Sequence, residues 1–295
     1  MDVGFIGLGI MGRPMAGNLL KAGFGVVAHS RTRSKVDALV AQGGEAATSP
    51  REVAARCDVV ITMVPDTPDV RDVMLGPDGV IHGAHDGLVA IDMSTISPTA
   101  TQEIAAALAA RGVRMLDAPV SGGESGAVAG SLSIMVGGDA AVFEQCQAVF
   151  AAMGKRITYI GPHGHGQITK LCNQVAGVLT LEAIAESLVL ATKAGVEVSR
   201  VIEALSGGAA DSWMLRNQAP RMLARDFAPG FFIHLQQKDL RLALELAGKL
   251  STPLPGTALV HQLFSAVEAT GGGELGTQAL VLALERLAGI GTGGS

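Results

Sequence analysis

A lysine on an apolar helix is the first residue whose position suggests chemistry. Residues 164–195 read as one long, largely apolar helix, yet Lys170 lies in its first turns. Burying an ammonium group without a partner costs several kcal/mol. Because Lys170, Asn173, Gln174 and Gly177 share one helix face, they predict a polar stripe that faces a cleft. There an ammonium group can stabilise an alkoxide and give it a proton. A lysine that reaches solvent or pairs with a carboxylate is the alternative.

A glycine-rich turn follows the first predicted strand. Gly7, Gly9 and Gly12 have the spacing GxGxxG, and an apolar helical pattern over residues 11–22 comes with them. In this context glycines let the backbone approach a pyrophosphate at a helix N-terminus. We therefore predict a dinucleotide site, with a tight turn that binds nothing as the alternative. The candidate cofactor-binding residues of this turn are Gly7, Leu8, Gly9, Ile10, Met11 and Gly12.

The end of the second predicted strand indicates which dinucleotide binds. An NAD enzyme usually has Asp or Glu there for the ribose 2′-hydroxyl, whereas this chain has Ser30, Arg31, Thr32 and Arg33, followed by Lys35. Arginine pairs bidentately with a 2′-phosphate, which a carboxylate would repel. The loop favours NADP, with NAD possible, and Ser30, Arg31 and Thr32 are assigned to the cofactor. A solvated basic loop that tolerates either cofactor is the alternative.

Further candidates lie where other predicted strands end, because ligands of open parallel sheets bind beyond the carboxyl ends of the strands. The cofactor candidates at these ends are Val64, Pro65 and Thr95. Ser121, Gly122 and Gly123 follow the strand "VRMLDAPV". A Ser-Gly-Gly turn can direct a hydroxyl and backbone N–H groups at a carboxylate, which predicts a small carboxylate-bearing substrate. A plain turn is the alternative.

These motifs lie in two parts of the chain with different patterns. Up to residue 163, β-rich runs alternate with helical patterns, including one helix predicted over 140–153. This alternation predicts a mainly parallel sheet with right-handed crossovers, an α/β doubly wound domain of the Rossmann type over 1–163. Helical patterns separated by Gly, Pro and Ser predict an all-α domain over 164–295, joined to the first by the long helix. The glycine-rich end, 289–295, is predicted to fray.

Composition and charge exclude several partners. A net charge of −5, a pI near 5.8, one Trp and one Tyr argue against nucleic acid. The chain has no uninterrupted apolar run of about 18 residues and no basic leader before its first strand, so we expect no membrane partner and a cytoplasmic protein. The apolar helices of the second half are more numerous than a small domain needs. They predict a homodimer or homotetramer.

The cysteines and histidines predict neither a disulfide nor a metal site. Cys57, Cys146 and Cys172 are odd in number and lack CxxC spacing, so they are expected to be reduced thiols in the core. The two closely spaced histidine pairs lack Cys or carboxylates at ligand spacing. Hydride transfer with a dinucleotide needs no metal, and none is predicted.

Four separated segments resemble the β-hydroxyacid dehydrogenase family across residues 2–288. They are "GFIGLGIMGRPMAGNLLKAG", "DAPVSGGESGAVAGSLSIMVGGD", "GHGQITKLCNQ" and "HLQQKDLRLALELA". The resemblance implies an NAD(P)-dependent oxidoreductase that interconverts a small semialdehyde or 2-oxo acid and its hydroxyacid. It also implies that Lys170 is catalytic, that Ser121 and its two glycines bind the substrate carboxylate, and that Thr95 borders the nicotinamide.

The resemblance implies further roles in the second domain. Phe231 and Asp239, with Lys238, match positions where the second domain closes the site in the glyoxylate reductase branch. We assign Phe231 and Asp239 to the substrate and Lys238 to the cofactor. The family usually has Asn four residues after its catalytic lysine, whereas this chain has Gln174 there and Asn173 one residue earlier. Both amides are therefore candidates for substrate binding.

Within the family the motifs point to two branches. "DAPVSGGE" and "TKLCNQV" look most like the tartronate semialdehyde reductases, which we favour, whereas "SRTRSK" and "QQKDLRLAL" look like the NADPH-dependent glyoxylate/succinic semialdehyde reductases. The latter and the 3-hydroxyisobutyrate dehydrogenases are the alternatives. Imine reductases share the two-domain plan but normally lack a lysine at position 170. A non-catalytic nucleotide-binding module is expected to have lost Lys170 or the Ser-Gly-Gly turn.

Overall fold

One β-sheet organises the first structural unit of the computed structural model, Met1–Lys170. The structure describes residues 1–291, so the part of the predicted frayed tail at 292–295 lies outside the described residues. The strands of the sheet are β1 (Asp2–Ile6), β2 (Gly25–His29), β3 (Glu45–Ala46), β4 (Val59–Thr62), β5 (Val89–Asp92), β6 (Arg114–Asp117), β7 (Val120–Ser121), β8 (Leu132–Gly138) and β9 (Gly154–Gly161).

Helices connect most of these strands. They are α1 (Gly12–Lys21), α2 (Arg33–Val40), α3 (Pro50–Arg56), α4 (Thr67–Leu75), α5 (Pro98–Ala109), α6 (Gly123–Val128), α7 (Ala140–Gln145) and α8 (Gln147–Met153). Local sequence explains several starts: Ser49 accepts a hydrogen bond from the Glu52 N–H at the start of α3, and Asp66 and Asp69 form a capping box on α4.

The strand order is β3-β2-β1-β4-β5-β6-β8-β7, and β9 pairs with β8. From β3 to β6 every pairing is parallel, which confirms the predicted Rossmann-type topology. At the far end β8 runs antiparallel to both β6 and β7, and β9 returns parallel to β8. The chain reverses there because only the short helix α6 separates β7 from β8, too little for a right-handed parallel crossover. That end of the sheet is mixed, which the strand pattern did not predict.

Both faces of the sheet are covered, as in a doubly wound domain. Val60 and Ala90 pack in one hydrophobic core with residues of α3, α4 and α5. Their chain neighbours Val59, Ile61 and Ile91 point to the opposite face and pack with residues of α1, α2, α7 and α8. Alternate side chains of one strand thus enter different cores, which explains why these strands are apolar throughout instead of alternating with polar residues.

The single helix predicted over 140–153 is wrong in detail. The chain forms α7 and α8, which are separated at Cys146, where φ is −97° and ψ is 4°. The buried thiol of Cys146 belongs to the same core as Val149 and Phe150 on α8. No Gly or Pro marks the break, and the apolar spacing continues through it. The sequence pattern therefore does not reveal that the helix is divided.

The second structural unit, from Leu171 onward, is helical, which confirms the predicted all-α domain. The long helix α9 (His165–Lys193) starts in the first unit and leads into the second; the division between the units falls at residues 170 and 171, and the domain boundary at 163/164 stays a prediction. The further helices are α10 (Val198–Ser206), α11 (Trp213–Leu223), α12 (Ile233–Lys249), α13 (Pro255–Glu268) and α14 (Val281–Leu287).

The length and composition of α9 would also allow it to cross a membrane. Of its most apolar stretch, 33% is buried within the described chain. Core helices of water-soluble proteins reach the same length and apolarity, so these properties alone do not indicate a membrane span.

The predicted core location holds for two of the three cysteines. Cys57 and Cys146 are buried, and burial raises the pKa of their thiols to about 12 and about 11. Cys172 is exposed, so its prediction as a core thiol is wrong. It follows the buried Leu171 on α9, and a step of one residue turns about 100° around a helix, away from the packed face.

Candidate functional site

The three glycines after β1 have different structural tasks. Gly7 has φ +99°, and a Cβ atom there would collide with the carbonyl oxygen of Met63. A Cβ atom on Gly12 would collide with the carbonyl oxygen of Gly7. Around Gly9, by contrast, no described atom outside residues 8–10 lies within 4 Å of the Cβ position. Gly7 and Gly12 are therefore required by the turn and by the close approach of α1, whereas Gly9 leaves open space beside the start of that helix.

The other residues of this turn present mainly backbone. Leu8 is buried in the core of the sheet, so its side chain is not available to a ligand. Ile10 and Met11 are half-buried. The Arg13 N–H donates to the Gly9 carbonyl at 3.1 Å, which begins the hydrogen bonding of α1 directly at the open glycine.

The basic loop after β2 contains an ion pair. The side chain of Arg31 is 81% exposed, and its Nη1 atom lies 3.3 Å from Oδ1 of Asp69, in the first turn of α4. Ser30 is half-buried, and Thr32 precedes α2 as its N-cap residue. The structure thus places a carboxylate beside the predicted phosphate-binding arginine. The sequence gives one signal for Asp69, the capping-box pattern "DTPD", but it does not bring this residue near Arg31.

Hydrogen bonds between buried side chains join the loops after β4 and β5. Thr62 Oγ1 donates to Asp92 Oδ1 at 2.8 Å, and the Ser94 N–H donates to the same oxygen at 3.0 Å. Ser94 Oγ in turn accepts from the Val64 N–H at 3.0 Å. These bonds fix the two loops that carry the predicted cofactor residues Val64, Pro65 and Thr95.

Asp92 is fully buried within this group. Its Oδ2 atom has no hydrogen-bond partner within residues 1–291. Burial raises the pKa of Asp92 to about 6, although the bonds from Ser94 and Thr62 act in the opposite direction. Asp92 therefore changes its charge in the folded protein at a much higher pH than in an unfolded chain.

A second buried carboxylate fixes the start of α9. Asp117, at the end of β6, accepts from the Gly164 N–H at 2.9 Å and from the Gln167 N–H at 3.0 Å. It satisfies two of the N–H groups that the first turn of a helix leaves without intrahelical partners. Burial raises the pKa of Asp117, while these two donors lower it. Lys170, only 7% exposed, follows in the next turn of this anchored helix.

The Ser-Gly-Gly turn joins β7 to α6. Gly122 and Gly123 have φ values of +136° and +62°, which residues with a side chain rarely adopt. Ser121 is half-buried at the end of β7. The buried Asn18, on α1, donates to the Ala127 carbonyl at 2.7 Å and so holds α6 against the helix of the glycine motif. Sequence reasoning did not assign Asn18 a role; a polar residue among the apolar positions of α1 was the available signal.

Within the second unit, polar side chains of α9 and α12 form a hydrogen-bonded group. Gln174 Nε2 donates to Asp239 Oδ2 at 2.6 Å and contacts Gln236 Oε1 at 3.4 Å. Asn173 Nδ2 donates to Gln174 Oε1 at 2.9 Å, and Lys238 Nζ lies 2.9 Å from Asp239 Oδ1. The structure therefore brings together four of the predicted residues and adds Gln236, which shares a face of α12 with Asp239 at a spacing of three.

Phe231 takes no part in these hydrogen bonds. It precedes α12, its side chain is half-buried, and its carbonyl accepts from the Thr277 N–H at 3.1 Å. Besides Asn18 and Asp69, sequence reasoning gave no role to five polar residues of the first unit: Thr62, Asp92, Ser94, Asp117 and Gln167. Two of them, Asp92 and Asp117, could have been noticed as carboxylates that end apolar strands.

Two family models together match most of the chain. Residues 2–161 match the NAD binding domain of 6-phosphogluconate dehydrogenase. Residues 164–284 match the NAD-binding domain of NADP-dependent 3-hydroxyisobutyrate dehydrogenase. The chain is also similar to 2-hydroxy-3-oxopropionate reductase of Escherichia coli (strain K12), with 47% identity over 289 residues and 98% of each chain covered.

Solved structures show the same arrangement of elements. Mycobacterium tuberculosis 3-hydroxyisobutyrate dehydrogenase with L-serine has a TM-score of 0.88 and 33% identity, covering 96% of this chain and 98% of that one. Psf3 in complex with NADP⁺ and 2-OPP has a TM-score of 0.87 and 26% identity, covering 96% of this chain and 99% of that one.

The glycine geometry predicts that one alanine substitution affects cofactor binding and another affects thermal stability. We expect Gly9→Ala to leave the melting temperature near that of the wild type, because its Cβ meets no described atom, but to weaken dinucleotide binding at least tenfold, about 1.4 kcal/mol. Gly12→Ala should instead lower thermal stability, because its Cβ collides with the Gly7 carbonyl. Calorimetric titration with NADPH and thermal unfolding measure both. Undiminished binding by Gly9→Ala would contradict a pyrophosphate beside Gly9.

Asp92 predicts a pH dependence of stability. A carboxyl whose pKa is raised by folding stays protonated in the folded chain while it ionises in the unfolded chain, so stability falls as pH rises from about 4 to about 6. Asp92→Asn lacks this loss and retains an oxygen that can accept from Thr62 and Ser94. Between pH ~4.5 and ~7.5, wild type should lose about 2 kcal/mol of unfolding free energy relative to the variant. Urea unfolding at both pH values measures this, and parallel pH dependences would contradict the raised pKa.

Proposed function

Because the chain belongs to the β-hydroxyacid dehydrogenase family, which confirms the resemblance of its motifs, we propose that it reduces tartronate semialdehyde (2-hydroxy-3-oxopropionate) with NADPH. The chain is an NAD(P)-dependent oxidoreductase of hydroxyacids. The observation that carries the choice of substrate is the 47% identity with 2-hydroxy-3-oxopropionate reductase across 98% of both chains. Glyoxylate, succinic semialdehyde and 3-hydroxyisobutyrate remain the alternative substrates, and their carbonyl or hydroxyl group also lies near a carboxylate.

The residues present fit a dinucleotide. Gly9 leaves open the space that a Cβ would partly fill, and the start of α1 lies directly beyond it. In the proposed site the turn from Gly7 to Gly12 holds the pyrophosphate, Arg31 pairs with the 2′-phosphate, and Thr95 borders the nicotinamide. When bound, the nicotinamide supplies the hydride. The complex of Psf3 with NADP⁺ supports the choice of NADP.

Lys170 is proposed to be the catalytic residue. As hydride reaches the carbonyl carbon, negative charge develops on the oxygen, and a nearby ammonium group stabilises it. The Nζ atom then transfers a proton to that oxygen, which completes the hydroxyl group. The burial of Lys170 supports this role, because an electrostatic interaction is stronger where water is excluded.

Ser121, Gly122 and Gly123 are proposed to hold the substrate carboxylate. The two glycines have left-handed backbone conformations and no side chains, so the peptide N–H groups of this turn stay accessible to a small anion. The Ser121 hydroxyl can add a further donor. A fixed carboxylate leaves the neighbouring carbonyl group in one orientation, which reduces the entropy lost on reaching the transition state.

The polar group of the second unit is proposed to contribute to substrate binding. Gln174 is 7% exposed and its amide donates to Asp239, so we assign it to the support of that carboxylate. Asn173 is half-buried, and we propose it as the amide that contacts substrate. By the family match, Phe231 and Asp239 also face substrate, and Lys238 contributes to cofactor binding.

We further propose a cytoplasmic homodimer or homotetramer whose partner is a small carboxylate-bearing molecule. Large apolar side chains of the second unit support self-association: Leu190 is 71% exposed and Leu287 is 76% exposed within one chain. Burial of such residues between subunits is a common feature of homo-oligomers.

Substitution of the proposed proton donor tests the mechanism. We expect Lys170→Ala to lower kcat by about 10² to 10⁴ while NADPH affinity stays nearly unchanged. Lys170→Arg keeps the charge but holds its proton too tightly to transfer it, so it should also be slow. Lys155→Ala, on the exposed strand β9, is the matched control and should behave as wild type. Steady-state kinetics and cofactor titration measure these effects, and near-normal turnover of Lys170→Ala would exclude this role.

A panel of aldehydes tests the substrate assignment. With NADPH and with NADH, kcat/KM is compared for tartronate semialdehyde, glyoxylate, succinic semialdehyde, methylmalonate semialdehyde and an uncharged aldehyde. We expect tartronate semialdehyde with NADPH to be best. Ser121→Ala should lose efficiency selectively on the acids, by about 1.5 to 3 kcal/mol for one ionic hydrogen bond. A higher efficiency on another acid would reassign the substrate, and equal losses on charged and uncharged aldehydes would refute the role of Ser121.

A further inference from the structure

One buried side chain holds both peptide groups that flank Thr95. Gln167, on the first turn of α9, is 0% exposed. Its Nε2 atom donates to the Ser94 carbonyl at 2.8 Å, and its Oε1 atom accepts from the Ile96 N–H at 3.1 Å. A single amide thus satisfies the acceptor before Thr95 and the donor after it, because the two ends of a primary amide have opposite hydrogen-bonding roles.

The backbone of Gln167 is fixed as well. Its N–H donates to Asp117 Oδ2, and the neighbouring Gly164 N–H donates to Asp117 Oδ1. A Cβ atom on Gly166 would lie 2.5 Å from the Met135 carbonyl oxygen, so this turn of α9 lies directly against β8. Gln167 therefore cannot shift without breaking buried hydrogen bonds, and each such loss leaves an unsatisfied polar group.

Gln167 is also coupled to Lys170 by helix geometry. Residues three apart lie on the same side of an α-helix and are separated by about 4.5 Å along the helix axis. Gln167 and Lys170 therefore move as one rigid segment. Through its amide, the same segment is tied to the loop that presents Thr95.

We propose that Gln167 is a positioning residue that sets Lys170 relative to Thr95. The proposal rests on the proposed function, in which Lys170 gives the proton and Thr95 borders the nicotinamide. Gln167 touches neither substrate nor cofactor in this scheme. It maintains the distance between the proton donor and the place where hydride is delivered, and small errors in such a distance slow a reaction strongly.

A double-mutant cycle tests the proposal. Gln167→Met has a similar length but cannot bond Ser94 and Ile96. In the otherwise wild-type chain we expect kcat to fall by about 10- to 100-fold, with KM and NADPH affinity changed by less than about threefold. In the Lys170→Ala chain the same substitution should lower kcat by less than about twofold, because a residue that acts through Lys170 has no further effect once Lys170 is gone. An equal fall in both backgrounds would overturn the proposal.

Two further variants complete the design. Gln102 donates to the His163 carbonyl at 3.2 Å from an exposed position, so Gln102→Met removes a comparable bond near the start of α9 and should leave kcat unchanged. If Gln167→Met does not fold, Asp117→Asn is used; it retains one acceptor, and we expect a smaller fall in kcat with the same dependence on Lys170. Full activity of Gln167→Met, or of Asp117→Asn in its place, overturns the positioning role alone. Near-normal turnover of Lys170→Ala overturns the proposed function, and the positioning role with it.

Discussion

The bond between a strand-end carboxylate and the first turn of α9 is the constraint on which the rest of the candidate site depends. Asp117 accepts two hydrogen bonds from backbone N–H groups at the start of this helix, those of Gly164 and Gln167. These two bonds fix the first turn of the 29-residue helix α9. Lys170, the proposed proton donor, follows one turn later. Its position is therefore fixed by Asp117, a residue of the sheet.

Burying Asp117 has a consequence for the neighbouring strand. Asp92 and Asp117 are paired positions on β5 and β6, and both are fully buried. Each charge raises the energy of the other, and N–H and hydroxyl donors to three of the four carboxylate oxygens offset part of this cost. Those donors come from the end of β4, from the loop after β5 and from the start of α9. Through these hydrogen bonds, the buried carboxylates hold together the segments that border the proposed cofactor site.

Local chemistry made part of this arrangement predictable from sequence. The roles of Gly7, Gly9 and Gly12 follow from their spacing after a strand, and the alternation of strands and helices predicts the doubly wound sheet. The antiparallel course of β8 and the exposed position of Cys172 were not predicted, because each is decided by packing. The same holds for Gln167, whose partners lie 71 and 73 residues away in sequence. No local pattern encodes such a contact, and in sequence it reads as one more polar residue of an apolar helix.

The ion pair of Arg31 with Asp69 bears on how sharply the loop separates the two cofactors. An exposed pair contributes at most about 1 kcal/mol, so Arg31 can exchange Asp69 for a phosphate, which it binds more strongly and in bidentate fashion. Asp69 stays nearby because its carboxylate also accepts from the Asp66 N–H at the start of α4. In the proposed site it therefore repels the 2′-phosphate that Arg31 is proposed to attract. With this opposing charge beside Arg31, we expect the loop to prefer NADPH but to discriminate against NADH less strictly than an arginine alone would.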